Sequence, residues 1–506
     1  MEQIFDVAII GGGINGCGCA ADAALRGLSV VLFEQDDLAS KTSSSSTKLI
    51  HGGLRYLEYY EFSLVKKALV ERQTLLTLAP HLVHPLAFVL PYQKFMRPSW
   101  FLRLGLFLYD HLSTENRLPR CKSVYREEST CFDPLMTKFN HGFLFYDAAT
   151  DDARLTITNA LQAKNHGASI RTRERVIKTE VMNNLWHLTI QPQNGAAYQI
   201  TAKALINASG PWVEATTKML QTPLQHQMAL VKGSHIVVPQ LYEGKQAYFL
   251  QHQDKRVIFV IPYHGYSMVG TTDVPFNGEL DQVQINEEEI HYLITLVNSY
   301  FNKQIKADDI LYSWSGVRPL LAEQEKKASA LSRDYSYEVA TIPAPIITIL
   351  GGKITTYRQL AEEVIDHLKL IHPQLIPSKT KHKPLPGAIW DSMSFIDYLA
   401  YAKKKYHWLS SELLNRYLYS YGTNIERFLA PCTNLHDMGK QYGTELYQIE
   451  LNYLIEQEWA QTAEDILFRR TKLGLSMDEK SQEELTYYLS TVKTIAPQDQ
   501  VELECH

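Results

Sequence analysis

The chain has 506 residues, of which 50 are Lys or Arg and 55 are Asp or Glu, for a formal net charge of −5. With 45% hydrophobic and 21% charged residues it is globular in composition, which excludes disordered and collagen-like classes. The length suits about three domains. The charge balance argues against a dedicated nucleic-acid binder, and no apolar run approaches the ~20 residues of a spanning helix.

The first residues predict strand, glycine turn, helix and strand, with the strands at Asp6–Ile10 and Ser29–Phe33. No targeting segment is expected ahead of the first strand. Gly11-Gly12-Gly13-Ile14-Asn15-Gly16 fits G-x-G-x-x-G between an apolar strand and an alanine-rich helix, and Glu34 ends the second strand. That context turns a weak pattern into a dinucleotide fingerprint. Gly11 permits the tight turn, Gly13 lets the backbone approach a pyrophosphate, and Gly16 lets the helix pack with its N–H groups toward the phosphates. Glu34 is the expected acceptor for ribose hydroxyls. One fingerprint without a second NAD site favours a tightly held flavin. Cys17 and Cys19 read as small packing residues. With Cys121, Cys131, Cys432 and Cys505 they show neither metal-ligand spacing nor a disulfide frame, so a reducing compartment and no metal are expected.

The serine cluster Ser43–Ser46 is the one low-complexity patch; Ser44, Ser45 and Thr47 offer hydroxyls to a pyrophosphate. Phe95–Tyr109 is apolar and aromatic with arginines at 97 and 103, inside a window (41–120) of 11 basic and 5 acidic residues. It suits either a lipid interface or a buried helix. A helix is expected after Asp151, capped by that residue and ended by Gly167. Tyr198–Val238 and Ala247–Thr271 read as sheet. Asn207–Trp212 ends a strand with Gly210, a second approach to the dinucleotide. The apolar run Ile346–Leu350 feeds Gly351-Gly352 and a helix start, with Thr356 and Gln359 spaced as a capping box. Lys383-Pro384-Leu385-Pro386-Gly387 reads as a linker, and the spacing beyond it is helical.

Seven segments carry a resemblance: Gly11–Gly16, Ser44–Leu57, Lys232–His235, Gly270–Asp273, Ser315–Leu320, Gly351–Tyr357 and Asp465–Thr471. In this order, over nearly the whole chain, the sequence resembles the FAD-dependent (aerobic) glycerol-3-phosphate dehydrogenases. The resemblance implies oxidation of sn-glycerol 3-phosphate to dihydroxyacetone phosphate, with FAD as hydride acceptor and ubiquinone or menaquinone as the final one. It also implies a location on the inner, cytoplasmic face of the cell membrane, no nucleic-acid partner and a homodimer. The fold class expected is α/β plus α+β. A Rossmann-like FAD-binding domain spans 1–80, 146–225 and 310–378, and a mixed-sheet substrate domain spans 81–145 and 226–309. An all-α C-terminal cap spans 385–506.

The reaction needs a phosphate clamp, a base and an electron-hungry flavin. Guanidinium groups clamp phosphate best, and Arg318 and Arg55 are the matching family positions, each with a surface arginine as the alternative. Tyr56 adds a hydroxyl or packs in the core. His51, followed by Gly52-Gly53, and His235 are both candidate bases, since a histidine titrates near neutrality. Sequence does not choose between them. The Gly352-Lys353-Ile354-Thr355 turn would bring a helix N-terminus and a full positive charge on Lys353 to the flavin or the substrate oxygen. Arg469 and Arg470 read as salt-bridge partners within the C-terminal domain. Rival classes are an oxidase handing electrons to O2, an amine or amino-acid oxidase with Arg318 as carboxylate clamp, and a non-enzymatic flavin-binding scaffold. The oxidases' extra insertion is not seen, and the amine-oxidase reading leaves the histidines and Lys353 without a role.

Overall fold

The computed structural model describes residues 3–254, 256–322, 334–388 and 393–495. The chain divides into two units, Met1–Leu385 and Pro386–His506.

In the first unit the apolar run Ile4–Ile10 forms a strand whose centre, Val7 to Ile9, has no exposed surface. It pairs in parallel with Val30–Glu34 and with Tyr198–Asn207. Ser169–Thr172 and Ile346–Gly351 extend the parallel set outward. Parallel strands covered on both faces read as unbroken apolar runs, as here. The antiparallel strand Tyr335–Ala340 and the hairpin Glu174–Met182 with Leu185–Pro192 complete an eight-stranded sheet. The helix Ile14–Leu25 is buried at every position but Asn15, which its small residues allow. The helix Asp152–Lys164 begins as expected: the Asp151 carboxylate accepts the Arg154 N–H at 3.0 Å.

A ten-stranded sheet makes up the other half of the first unit. Its spine is Met228–Pro239, paired antiparallel with Tyr312–Leu321 over ten positions and with Tyr266–Gly270 on its other side. Val257–Tyr263, Ala247–Gln251, Val83–Pro91, His141–Thr150 and Leu49–Ile50 follow in order. The helix Glu287–Tyr300 packs on one face, started by a capping box between Asn286 and Glu289.

Three expectations need correction. The boundary at 145/146 cuts the strand His141–Thr150, and that at 309/310 assigns Tyr312–Leu321 to the flavin half. Both strands lie whole in the ten-stranded sheet, because their ladders run to Val83–Pro91 and Met228–Pro239. Tyr198–Val238 is not all sheet: Gly210 adopts a left-handed φ of 57° and Pro211 opens a turn into the helix Val213–Leu220. The Thr356–Gln359 capping box does not form. Thr356 is buried with φ −110° and ψ 11°, outside the extended region a cap requires, and Gln359 donates to Glu363 instead.

The second unit is built from helices, among them Phe395–Lys405, Ser411–Tyr421, Gln448–Glu458 and Glu479–Ile495, with one short hairpin, Gln441–Tyr442 against Leu446–Tyr447. Tyr417, Tyr421, Phe428 and Leu454 form its core. Arg469 pairs with Glu464 and Asp465, and Arg470 is fully buried, so these arginines serve the unit's own packing.

Candidate active site

Four parallel strands release their chains into one crevice. Ile10 and Gly11, Glu34, Ala208 to Trp212, and Gly351 with Gly352 all line it, and each group follows the carboxyl end of a strand. That is where open α/β sheets bind their ligands. Gly11 has φ 114°, and a Cβ there would lie 2.5 Å from the Ala208 carbonyl oxygen; a Cβ at Gly16 would lie 1.9 Å from the Gly11 carbonyl oxygen. Glu34 accepts the Gly12 N–H at 2.7 Å and the Asp36 N–H at 2.9 Å. Burial raises its carboxyl above the ordinary value while these two bonds oppose the rise. Asn15 donates to the Gly351 carbonyl at 3.1 Å and so ties the fingerprint to the second glycine pair.

The serine loop differs from expectation. Ser40 to Ser43 line the crevice, and Ser43 Oγ accepts the Ile14 N–H at 2.9 Å. Ser44 and Ser45 instead donate to the Lys41 carbonyl at 3.2 and 3.1 Å. Thr47 faces His235, with Oγ1 to Nε2 at 3.0 Å. Ser44 and Ser45, expected at a pyrophosphate, thus brace the loop's own turn, and it is Ser43, one residue earlier, that lines the crevice.

Beyond the crevice the remaining site residues gather in two groups. In the first, Lys353 Nζ lies 4.0 Å from the Tyr56 ring centroid, and Thr355 Oγ1 accepts the His51 N–H at 3.3 Å. His51 is half-buried and meets Phe259 edge-on at 6.2 Å. Arg55 lies in the same short helical turn as Tyr56. In the second group, Arg318 donates to Asp273 at 2.7 Å and to Thr271 at 3.1 Å, directly before the crevice-lining Pro319. His235 is fully buried, stacked on Trp314 at 5.3 Å. Burial first, then the charges of Arg318 and Lys48, hold its pKa well below the usual histidine range.

The sequence missed Lys48, Thr271, Asp273 and Ser43. Lys48 is buried, pairs with Asp152 at 2.8 Å and lies 4.9 Å from the Trp314 ring. Its signal was a lysine within a run that had to fold inward, and a buried charge requires a partner. Asp273 was visible as the last residue of a matched motif but carried no role until Arg318 was seen to pair with it.

Residues 6–358 match the family model described as FAD dependent oxidoreductase, and 378–495 that of the C-terminal domain of alpha-glycerophosphate oxidase. A glycerol-3-phosphate dehydrogenase of Pseudomonas aeruginosa is 46% identical over 97% of this chain and 96% of its own. This chain belongs to the FAD-dependent glycerol-3-phosphate dehydrogenase family. A D-erythritol 1-phosphate dehydrogenase of Brucella abortus is 42% identical over 97% of this chain and 99% of its own. The solved glycerol-3-phosphate dehydrogenase of Bacillus halodurans, complexed with FAD, superposes with a TM-score of 0.74 at 26% identity. It covers 99% of this chain and 97% of its own.

FAD is the cofactor of this family member, and the crevice fits it. The glycine turn leaves backbone where any Cβ would clash, and Glu34, expected at a ribose, lines the same crevice. Two buried polar atoms that border the crevice, Asn15 Oδ1 and Ser40 Oγ, have no protein partner among the described residues. Cys17 and Cys19 are buried, and burial pushes both thiols above their ordinary range, so they serve packing in the helix that follows the turn.

Proposed function

We propose that this chain oxidises sn-glycerol 3-phosphate at C2 to dihydroxyacetone phosphate, with a membrane quinone as final electron acceptor. The observation that carries the reading is Arg318, keyed by Asp273 and Thr271 at the edge of the crevice, where a planar guanidinium can hold a phosphate by two points. Arg55, on the turn with Tyr56, supplies the second cation of the clamp. Lys353, beside Tyr56, attracts the negative charge that develops on the C2 oxygen as its proton leaves. When bound, FAD supplies the hydride acceptor.

Of the two histidines, His51 takes the C2 hydroxyl proton. A base must meet its substrate and hold the proton it receives. His235 has no exposed surface, its Nε2 is engaged by Thr47, and two cations oppose its protonation. It serves as a neutral wall residue that orients Thr47. In this reading the eight-stranded sheet is the FAD half and the ten-stranded sheet, including Leu49–Ile50, His141–Thr150 and Tyr312–Leu321, is the substrate half. Residues 386–506 form a separate helical domain.

We place the protein at the inner face of the cell membrane on one surface feature. The helix Ser99–His111 exposes Trp100, Phe101, Leu104, Phe107 and Leu108, and Tyr60 stands exposed on the turn nearby. No helix of the described residues is long and apolar enough to cross a membrane. An aromatic face with Arg97 and Arg103 alongside suits the headgroup region instead.

The Brucella relative gives a second reading a specific footing, because a longer polyol phosphate would use the same clamp. Steady-state turnover of both phosphates, each with a soluble quinone analogue and with O2, tests the proposal. Dihydroxyacetone phosphate formed fastest with quinone supports it. Preferred turnover of the erythritol phosphate, or peroxide formed in air as fast as quinone is reduced, overturns the substrate or the acceptor respectively.

A further inference from the structure

Gly52 lies between His51 and Arg55, and its N–H is taken up by a closed polar knot. The Tyr109 hydroxyl accepts that N–H at 2.8 Å and donates to the Asp147 carboxylate, whose oxygens lie 2.9 and 2.8 Å away. Asp147 is paired with Arg72 at 2.5 Å, and Arg72 also reaches the Tyr146 carbonyl and Asn116. Tyr109, Asp147 and Arg72 are all buried. The knot draws on the strand His141–Thr150 and the helices Phe62–Leu78 and Ser99–His111.

We propose that Tyr109 and Asp147 are positioning residues, which fix the His51–Tyr56 loop by holding the Gly52 N–H. The close approach uses the missing side chain: a Cβ on Gly52 would lie 2.6 Å from the Tyr109 oxygen and 2.5 Å from Leu69. Burial and the Asp147 carboxylate keep the phenol a proton donor, so the knot holds its polarity. From the other side Thr355 holds the His51 backbone. The backbone of the loop that carries the base, the second clamp arginine and Tyr56 is therefore held at its first two residues, His51 and Gly52. Leu54, Tyr56 and Leu57 pack against the cluster that contains Tyr109. Without the hydroxyl, the Gly52 N–H is left with Asp147 Oδ1 at 3.3 Å, a long and weak contact. Leu106 and Tyr109 are the two buried residues of the helix Ser99–His111, so the side chain that anchors this helix is also the one that holds the loop.

The proposal rests on the reading of His51 and Arg55 as site residues, and the test separates the two. Holoenzyme carrying Tyr109→Phe, Asp147→Asn or, as control, Tyr300→Phe is followed by amide hydrogen exchange over residues 51–57 and by anaerobic reduction with glycerol 3-phosphate. Tyr300 is equally buried and donates to the Gln251 carbonyl, away from the loop. Tyr109→Phe and Asp147→Asn are expected to retain FAD and to exchange roughly tenfold faster over 51–57. Their flavin reduction is expected to slow by about ten- to a hundredfold, as for a loosened reacting geometry. Tyr300→Phe leaves both readouts unchanged. Unchanged exchange in Tyr109→Phe, or equal effects in Tyr109→Phe and Tyr300→Phe, overturns the proposal. If glycerol 3-phosphate fails to reduce the unmodified protein, the substrate reading falls and exchange alone decides the knot.

Discussion

Arg318 has value to a phosphate only while its plane is held, and Asp273 and Thr271 hold it. Arg318→Ala is expected to raise the KM for glycerol 3-phosphate by about ten- to a hundredfold, the loss of a charged hydrogen-bonded contact, with FAD still bound. Arg318→Lys keeps the charge but not the fork, so steady-state kinetics should place it between the two. His235 makes a different test, through stability. Its folded pKa lies well below the unfolded value of about 6.5, so above that pH both states are neutral. Below it the unfolded chain binds a proton that the folded chain refuses, and stability falls as pH drops. Melting temperatures from pH 7.5 to 5 should therefore decline less steeply in His235→Asn than in the parent chain. A base at His235 would instead show its titration in the rate profile.

The first strand–turn–helix carries the proposed FAD-binding turn. Gly16→Ala would put a methyl group 1.9 Å from the Gly11 carbonyl oxygen, with backbone on both sides of the clash. The turn must open, and the purified variant is expected to lose its flavin absorbance. The helix Ser99–His111 carries the second element-scale prediction. With anionic vesicles at low salt the protein should sediment, and salt should weaken the binding because the flanking arginines contribute screened attraction. Replacing Trp100 and Phe107 by Ser should weaken it at every salt concentration.

At the scale of the whole molecule, what could be read from the sequence follows the range of the interaction. The Gly11–Gly16 turn, the Asp151 cap and the apolar strands are local patterns, and they stand within a residue or two of where they were expected. The membership of Tyr312–Leu321 is not local. It depends on a ladder to Met228–Pro239, some 80 residues earlier, and no pattern inside the strand announces its partner. Thr356 shows tertiary burial overriding a correct local motif. Tyr109 and Asp147 show the same limit of range: the backbone N–H that Asp147 approaches lies 95 residues away. Arg55, Tyr56, Lys353 and Arg318 enter the proposed site through family resemblance, whereas the proposed choice of His51 over His235 rests on their burial.

The proposed function turns on removal of a hydride from C2 of glycerol 3-phosphate. The most direct measurement mixes the purified yellow protein with that substrate in the absence of oxygen and follows the flavin absorbance. Bleaching is expected, with one dihydroxyacetone phosphate formed per flavin and reoxidation by quinone faster than by air. A flavin that stays oxidised at saturating glycerol 3-phosphate would contradict it.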